Sequence, residues 1–444
     1  MQLIHHGAHQ GVTGSCHQLL IDPQRSLLVD CGTFQGRDAE KHTNPEIEFP
    51  LQGILALLLT HVHIDHVGRL PYLLAAGFDR PIYCSRPTAE LLPLVMEDSL
   101  KIGFSRSVRL TADFLRKIGR LLRPLSYGEW QEIVPGIRIR LRPAGHVLGS
   151  TIFEVELPDG RVAVFSGDLG PLGAPLLDPP VSPPRADLLV LESTYGNRVH
   201  PPRDTRQQQL EEVICKTLTN GGVTIIPSFS LGRTQDLLFE LNQIFSRYEE
   251  QQHCTLLRQV DVIVDSPLAA KFTDVYEMMS RYWGDEGQRV LKVDDQPLVF
   301  ENLTTVDSHK EHLDTIAYLD RHELPAVVIA GSGMCSGGRV VNYLKRFIGK
   351  PETDIIFVGY QAHGTPGYYI LRKGEWVQLD GKRFEIKAAI HQLTGYSAHA
   401  DQVDLLRFVE GFETRPGRIR LVHGEDDARQ ALALILSQRG YTVD

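Results

Sequence analysis

Within the six residues His61–His66 the chain carries three histidines and an aspartate, directly after the apolar run GILALLL that begins at Gly53. An apolar strand that runs straight into such a cluster is a poor way to extend a core and a good way to open a metal site. Residues two apart in an extended segment point the same way, so His61 and His63 can converge on one ion. From Val67 to Ala76 the leucines Leu70, Leu73 and Leu74 follow helical spacing. The chain therefore bends into a helix just beyond the cluster, and that bend can turn Asp65 and His66 toward a second ion. Neutral imidazoles and carboxylates are the ligands that suit zinc.

The rest of the chain supplies a setting for such a site. A length of 444 residues favours two domains, or one large domain with an insertion. Ile4, Leu19, Leu20 and the run SLLVD ending at Asp30 read as an opening β-meander. Further on, IRIRLRPAGH and TIFEVELPDGRVAVFSGDLG alternate as strands, with Pro158-Asp159-Gly160 as a turn, and they leave His146 and Asp168 just beyond strand ends. The Pro-containing stretch VHPPRDTRQQQ suits an exposed boundary, so a new domain is expected near residue 200. Three strand-loop-helix units follow, in VTIIPSFSLGRTQDLLFEL, VDVIVDSPLAAKFTDVYEMM and AVVIAGSGMCSGGRVVNYLKRF. That pattern predicts a parallel sheet with helices on its faces.

Composition narrows the function classes. The apolar run Ile54–Leu59 falls far short of the ~20 residues a spanning helix needs, so no membrane partner is expected. Nothing in MQLIHHGAHQ looks like a secretory or transit leader, and the six cysteines (Cys16, Cys31, Cys84, Cys215, Cys254, Cys335) are scattered singly. Both features predict a reducing, cytoplasmic setting. A formal charge of -9 argues against indiscriminate binding of nucleic acid. Positive charge is instead gathered at Lys101, Arg106, Arg109, Arg116, Lys117, Arg120 and Arg123 against the one acid Asp113. Such a run either guides a polyanion or is a solvated helix surface, and the second reading is favoured.

HVHIDH, AGHVLGS and SGDLG, in that order, resemble the metal motifs of the metallo-β-lactamase fold, and Asp30 matches its first motif. LESTYG at 191, IPSFSLGRTQDLLFEL at 226, DSPLA at 265, AGSGMCSGGRV at 330, GYSAHAD at 395 and VHGE at 422 are similar to the β-CASP branch of nucleic-acid-processing enzymes. The resemblance runs from about residue 10 to the end. It implies an α/β protein: an αββα metallo-β-lactamase sandwich in residues 1–200 and 359–444, interrupted at 201–358 by a β-CASP α/β domain with a parallel sheet. The active site is expected between the two.

The resemblance also implies a ligand set. One zinc falls to His61, His63 and His146, a second to Asp65, His66 and His423, with Asp168 bridging them. Catalytic roles are implied for Asp65, Glu192 and His399. Two cations ~3.5–4 Å apart can generate a hydroxide at neutral pH and clamp a phosphodiester. His399 could then protonate the leaving oxygen, with Glu192 fixing its tautomer. The implied activity is zinc-dependent hydrolysis of RNA to a 5′-phosphate and a 3′-hydroxyl; His423, aliphatic in many DNA-directed relatives, favours RNA. Oligomeric state stays open, with a homodimer as the assembly to test. In AGSGMCSGGRV the glycines, with Ser332, Gly333 and Gly337, can bring backbone N–H groups to phosphate at a helix start, and Arg233 and Arg339 are candidate phosphate contacts. QAHGT departs from many relatives, since His363 stands where an acid is common. Two rival readings remain at this level: a hydrolase of a small ester, lactone or thioester, and a non-catalytic RNA-binding subunit.

Overall fold

The structure is a computed structural model and describes residues 1–103, 107–201, 203–251 and 260–444. Arg106 and Cys254 lie outside the described residues. The chain divides into two compact units, Met1–Val199 together with His399–Asp444, and His200–Ala398.

The first unit contains two six-stranded sheets. One runs Gln2–Gly7, Cys16–Asp22, Arg25–Val29, Ile54–Leu58, Ile82–Ser85, Leu122–Leu125; its first three strands are antiparallel, the expected meander, and the rest are parallel. The other runs Ile419–Val422, Leu188–Glu192, Val162–Phe165, Thr151–Glu156, Ile137–Pro143, Gln131–Val134. Period-two alternation decides which face each residue takes. Ala163, Phe165, Leu188 and Val190 face Leu27, Val29, Ala56 and Leu58 of the first sheet in one buried cluster. Their neighbours Val162, Val164, Leu189 and Leu191 face the other way, onto Leu405, Val409, Leu432 and Leu436 of the helices Gln402–Glu410 and Asp426–Gln438. On the far side of the first sheet the helix Arg86–Gly103 packs on Ile82–Ser85 and Leu122–Leu125. The layers are therefore helix, sheet, sheet, helix, as the motifs implied.

Strand direction explains where chemistry collects. Val162–Phe165, Leu188–Glu192 and Ile419–Val422 are adjacent and parallel, so Asp168, Glu192 and His423 emerge at the same sheet end. In the facing sheet Arg25–Val29 and Ile54–Leu58 are also parallel, which brings Asp30 and the His61–His66 segment out together. Ligands in α/β sheets gather at such carboxyl ends.

The second unit holds a wholly parallel sheet in the order Leu303–Thr305, Asp261–Asp265, Ala326–Ala330, Val223–Pro227, Asp354–Phe357, Ala389–Gln392. The three predicted strand-loop-helix units supply its centre, and Val223, Ile225, Val328 and Ile355 bury against Val340, Leu344 and Phe347 of the helix Val340–Phe347. This unit extends further than the expected boundary at 358. Ala389–Gln392 pairs in parallel with Asp354–Phe357, so residues 359–398 group with the insert and not with the sandwich. No helix among the described residues is long and apolar enough to cross a membrane.

Candidate metal centre

His63 is the last extended residue before the short helix Ile64–Val67, with φ -61° and ψ 148°. The side chains on either side of that switch therefore diverge into two groups. His61 Nε2 and His146 Nε2 lie 3.2 and 2.9 Å from His63 Nδ1, and 3.5 and 3.6 Å from Asp168 Oδ2. Ligand atoms at the corners of a tetrahedron with ~2.0–2.1 Å bonds to a central ion are about 3.3 Å apart. Past the bend, Asp65 Oδ2 lies 3.4 Å from His423 Nε2, and Asp168 Oδ1 lies 3.3 Å from His66 Nε2 and 3.5 Å from His423 Nε2. Asp168 thus offers one oxygen to each group. His66 Nε2 and Asp168 Oδ1 are both buried without a hydrogen-bond partner, which is costly for polar atoms unless a cation satisfies them. The donor set fits a pair of divalent ions.

Close packing leaves no room for larger residues here. A Cβ on Gly170, two residues beyond Asp168, would stand 1.9 Å from the Gly145 carbonyl oxygen, next to His146. Asp30 and His423 both adopt positive φ, 57° and 53°, a conformation non-glycine residues hold only when their surroundings impose it. The His423 amide is fixed by the Ala8 carbonyl at 2.7 Å.

A second layer orients the ligands. Asp30 Oδ2 accepts from His66 Nδ1 at 2.8 Å, leaving Nε2 to face Asp168. Thr60 holds Asp30 with both its amide and its hydroxyl, each at 2.8 Å, and the Thr194 hydroxyl lies 3.1 Å from His423 Nδ1. Such partners set the imidazole tautomer and raise ligand basicity. Thr60 and Thr194 were given no role by the sequence reading; their signals were adjacency to His61 and a place in LESTYG two residues beyond Glu192.

Glu192 and His399 sit beside the cluster. Glu192 Oε1 accepts from the Leu169 amide at 2.7 Å and Oε2 from the Thr194 amide at 3.2 Å. Its Oε1 also lies 3.3 Å from His399 Nδ1, whereas His399 Nδ1 is 4.0 Å from Asp168. The nearer partner of His399 is therefore Glu192.

Residues 11–212 match the metallo-beta-lactamase superfamily profile, residues 234–370 the Beta-Casp domain, and residues 383–444 a Zn-dependent metallo-hydrolase RNA specificity domain. Ribonuclease TTHA0252 of Thermus thermophilus is 37% identical over 443 residues, an alignment covering 100% of this chain and 97% of that protein. The chain belongs to the β-CASP family of the metallo-β-lactamase superfamily. Transcription termination factor FttA of Methanosarcina mazei is 31% identical, covering 96% of this chain and 67% of its own length. A crystal structure of a protein of unknown function from Enterococcus faecalis V583 shares the fold, at TM-score 0.56 and 14% identity, over 99% of this chain and 96% of that one. As a β-CASP protein the chain is a metal-dependent hydrolase of the ribonuclease class.

The electrostatics of the β-CASP centre follow from burial and from its two carboxylates. Burial drives the His61 imidazole well below its ordinary value and takes His63 down to about 4, so both are neutral, the ligating form. Burial also opposes charge on His66 and His423, but Asp168, with Asp30 for the first and Asp65 for the second, outweighs it. His66 is held well above its ordinary value and His423 at about 9. Against the same burial, the neighbouring imidazoles bring Asp168 far below the carboxylate range and Asp65 to about 2. The two buried carboxylates are thus answered by protonated His66 and His423, whose Nε2 protons a divalent ion would replace.

The candidate phosphate arginines are committed elsewhere. Arg339 donates from Nη1 to Asp265 Oδ1 at 2.6 Å and to the Val306 carbonyl at 2.7 Å, and from Nη2 to the Asp307 carbonyl at 3.0 Å. Arg233 is only 6% exposed, pairs with Asp236 at 2.9 Å and donates to the Tyr396 carbonyl. Both guanidiniums have partners within the second unit, Arg233 buried and Arg339 partly exposed. In the glycine loop Gly333 packs near Phe229, Gly337 is open to a radius of 4 Å, and Ser332 is half-buried. His363 is exposed beside Tyr368, at 4.9 Å between rings. On the basic stretch, Lys101 pairs with Glu97, Arg116 with Asp113, Lys117 donates to the Leu74 carbonyl and Arg123 to those of Arg120 and Leu122. These local partners agree with a solvated helix surface.

Burial also lowers His17 well below its ordinary value and His5 to about 3. A histidine whose folded value is depressed destabilises the fold once the unfolded chain takes up the proton, from about pH 6.5 downward. Denaturation midpoints should therefore fall between pH 7 and pH 5, and His5→Gln, which keeps a polar partner for His17, should flatten that fall. Equal slopes in both proteins would remove His5 from the acid sensitivity.

Proposed function

We propose that this β-CASP protein is a two-zinc ribonuclease of the cytoplasm that hydrolyses RNA to a 5′-phosphate and a 3′-hydroxyl. The observation that carries the reading is the arrangement of His61, His63 and His146 on one oxygen of Asp168, and of Asp65, His66 and His423 on or beside the other. Ribonuclease TTHA0252 and the matched RNA specificity domain support RNA as substrate. Two zinc ions held there would supply a nucleophile from water at neutral pH and neutralise charge developing on the phosphodiester.

The chain's own residues do the rest. Hydrolysis adds water across the P–O3′ bond, so the departing 3′ oxygen needs a proton. His399 is assigned to deliver it: Glu192 accepts the Nδ1 proton, which leaves the Nε2 proton for transfer, and Glu192 stabilises the imidazolium before transfer. The Leu169 and Thr194 amides fix Glu192 so that this tautomer is imposed in advance.

The direct test is incubation of 5′-end-labelled single-stranded RNA with the purified protein. Cleavage that stops on chelation, is lost in His63→Ala, and outpaces that of a matched DNA oligonucleotide is expected. Cleavage indifferent to the chelator, or equal rates on RNA and DNA, would overturn the reading. His423→Ala removes a ligand from one group only, so zinc per chain should fall from two toward one with the fold intact, read by elemental analysis.

A further inference from the structure

Arg69 is only 4% exposed, yet no acid lies within ion-pair distance among the described residues. Its Nε donates to the Gly32 carbonyl at 2.6 Å and its guanidinium lies over the Phe34 ring at 4.8 Å, but Nη2 is buried without any hydrogen-bond partner. A buried guanidinium is expensive unless an anion answers it. It lines a cavity of about 440 Å³ within the first unit. His5 Nε2 and His9 Nδ1, in the same wall, are likewise buried without partners.

The other walls are flat rings. Phe34 stacks on His42 at 4.0 Å and 15°, and His6 on Phe49 at 3.8 Å and 17°, and all four line the cavity. A cation in the wall of a cavity, with planar rings around it, is the chemistry of a nucleotide site: phosphate on the arginine, base against a ring. Of the lining acids, Asp38 already accepts from the Val12 and Thr13 amides and the Thr13 hydroxyl, while Glu46 and Glu48 are exposed, where water and salt screen them. The cavity also adjoins the metal centre. Its residues Ala8 and Gly11 accept from the amides of His423 and Gly424, at 2.7 and 3.2 Å.

We infer that this cavity is a nucleotide subsite for the RNA strand, binding one nucleotide away from the scissile bond with its phosphate on Arg69 and its base against the Phe34–His42 wall. The inference rests on the ribonuclease reading for its choice of RNA, but the cavity is tested apart from cleavage. Calorimetric titration of the zinc-loaded protein with adenosine 5′-monophosphate and with inorganic phosphate should show both binding. Arg69→Gln should weaken both by about 10- to 100-fold, the usual worth of a hydrogen bond to a charged group. His42→Ala, at an exposed position, should weaken the nucleotide by about fivefold or more and leave phosphate unchanged, since only the base stacks. In steady-state cleavage His42→Ala should raise KM for a long RNA more than it does for a dinucleotide. Unchanged nucleotide affinity in His42→Ala, or in a folded Arg69→Gln, overturns the site. Nucleotide binding with an unmoved KM overturns its assignment to the RNA strand and points to a free mononucleotide. A wild-type protein that cleaves no RNA would sink the ribonuclease reading, while the calorimetry would still decide the cavity.

Discussion

Asp168→Asn is expected to strip the protein of both zinc ions and to lower RNA cleavage by at least about 10³-fold, the equivalent of the several kcal/mol that metal ions contribute to a transition state. Asp168 is singled out because its two oxygens face different imidazole sets, His61 and His146 on one side and His66 and His423 on the other. Asparagine keeps the volume and removes the charge, so the packing around Gly145 and Gly170 should survive. Circular dichroism should confirm a native fold while elemental analysis shows the metals gone. A folded variant that retains two zinc ions and activity within tenfold of the parent would contradict the bridging role.

His399→Ala should behave differently in kind. His399 is 3.3 Å from Glu192 and 4.0 Å from Asp168, and the role proposed for it is that of a proton donor held by Glu192 rather than a metal ligand. Zinc content should stay at two per chain while single-turnover cleavage falls by ~10²–10⁴-fold, the usual contribution of general acid catalysis. A substrate whose leaving group is already acidic, such as a nitrophenyl phosphodiester, should lose much less, because it needs no proton. Loss of metal together with activity, or an equal loss on both substrates, would argue against this role. Glu192→Gln should move in the same direction, with a smaller loss on the RNA.

The parts of this site legible in the sequence share one physical trait: each stands at the end of an apolar strand. His61, His63, Asp65 and His66 follow GILALLL, Asp168 follows VAVF, and Glu192 closes LLVLE, so hydrophobic patterning alone placed polar side chains at sheet ends. The meander and the parallel insert sheet were legible for the same reason. What patterning does not encode is direction. Arg233 and Arg339 were expected to meet phosphate, yet each turns inward to an aspartate and to carbonyls of its own unit, and residue type says nothing about that choice. Arg69 is the converse, a buried arginine that lines a cavity and keeps a nitrogen without a hydrogen-bond partner. Residues 359–398, expected with the sandwich, group with the insert through the pairing of Ala389–Gln392 with Asp354–Phe357, which is non-local and leaves no composition change at the junction.

Two zinc ions, held by seven side chains and shared through Asp168, are proposed to make this β-CASP protein a ribonuclease. This is tested most directly by stripping the protein of metal and adding zinc back in known equivalents while cleavage of end-labelled RNA is followed. Activity should be absent in the stripped protein, rise as zinc is added, and reach its plateau at two equivalents per chain. Full activity at one equivalent, or without added metal, would contradict the account.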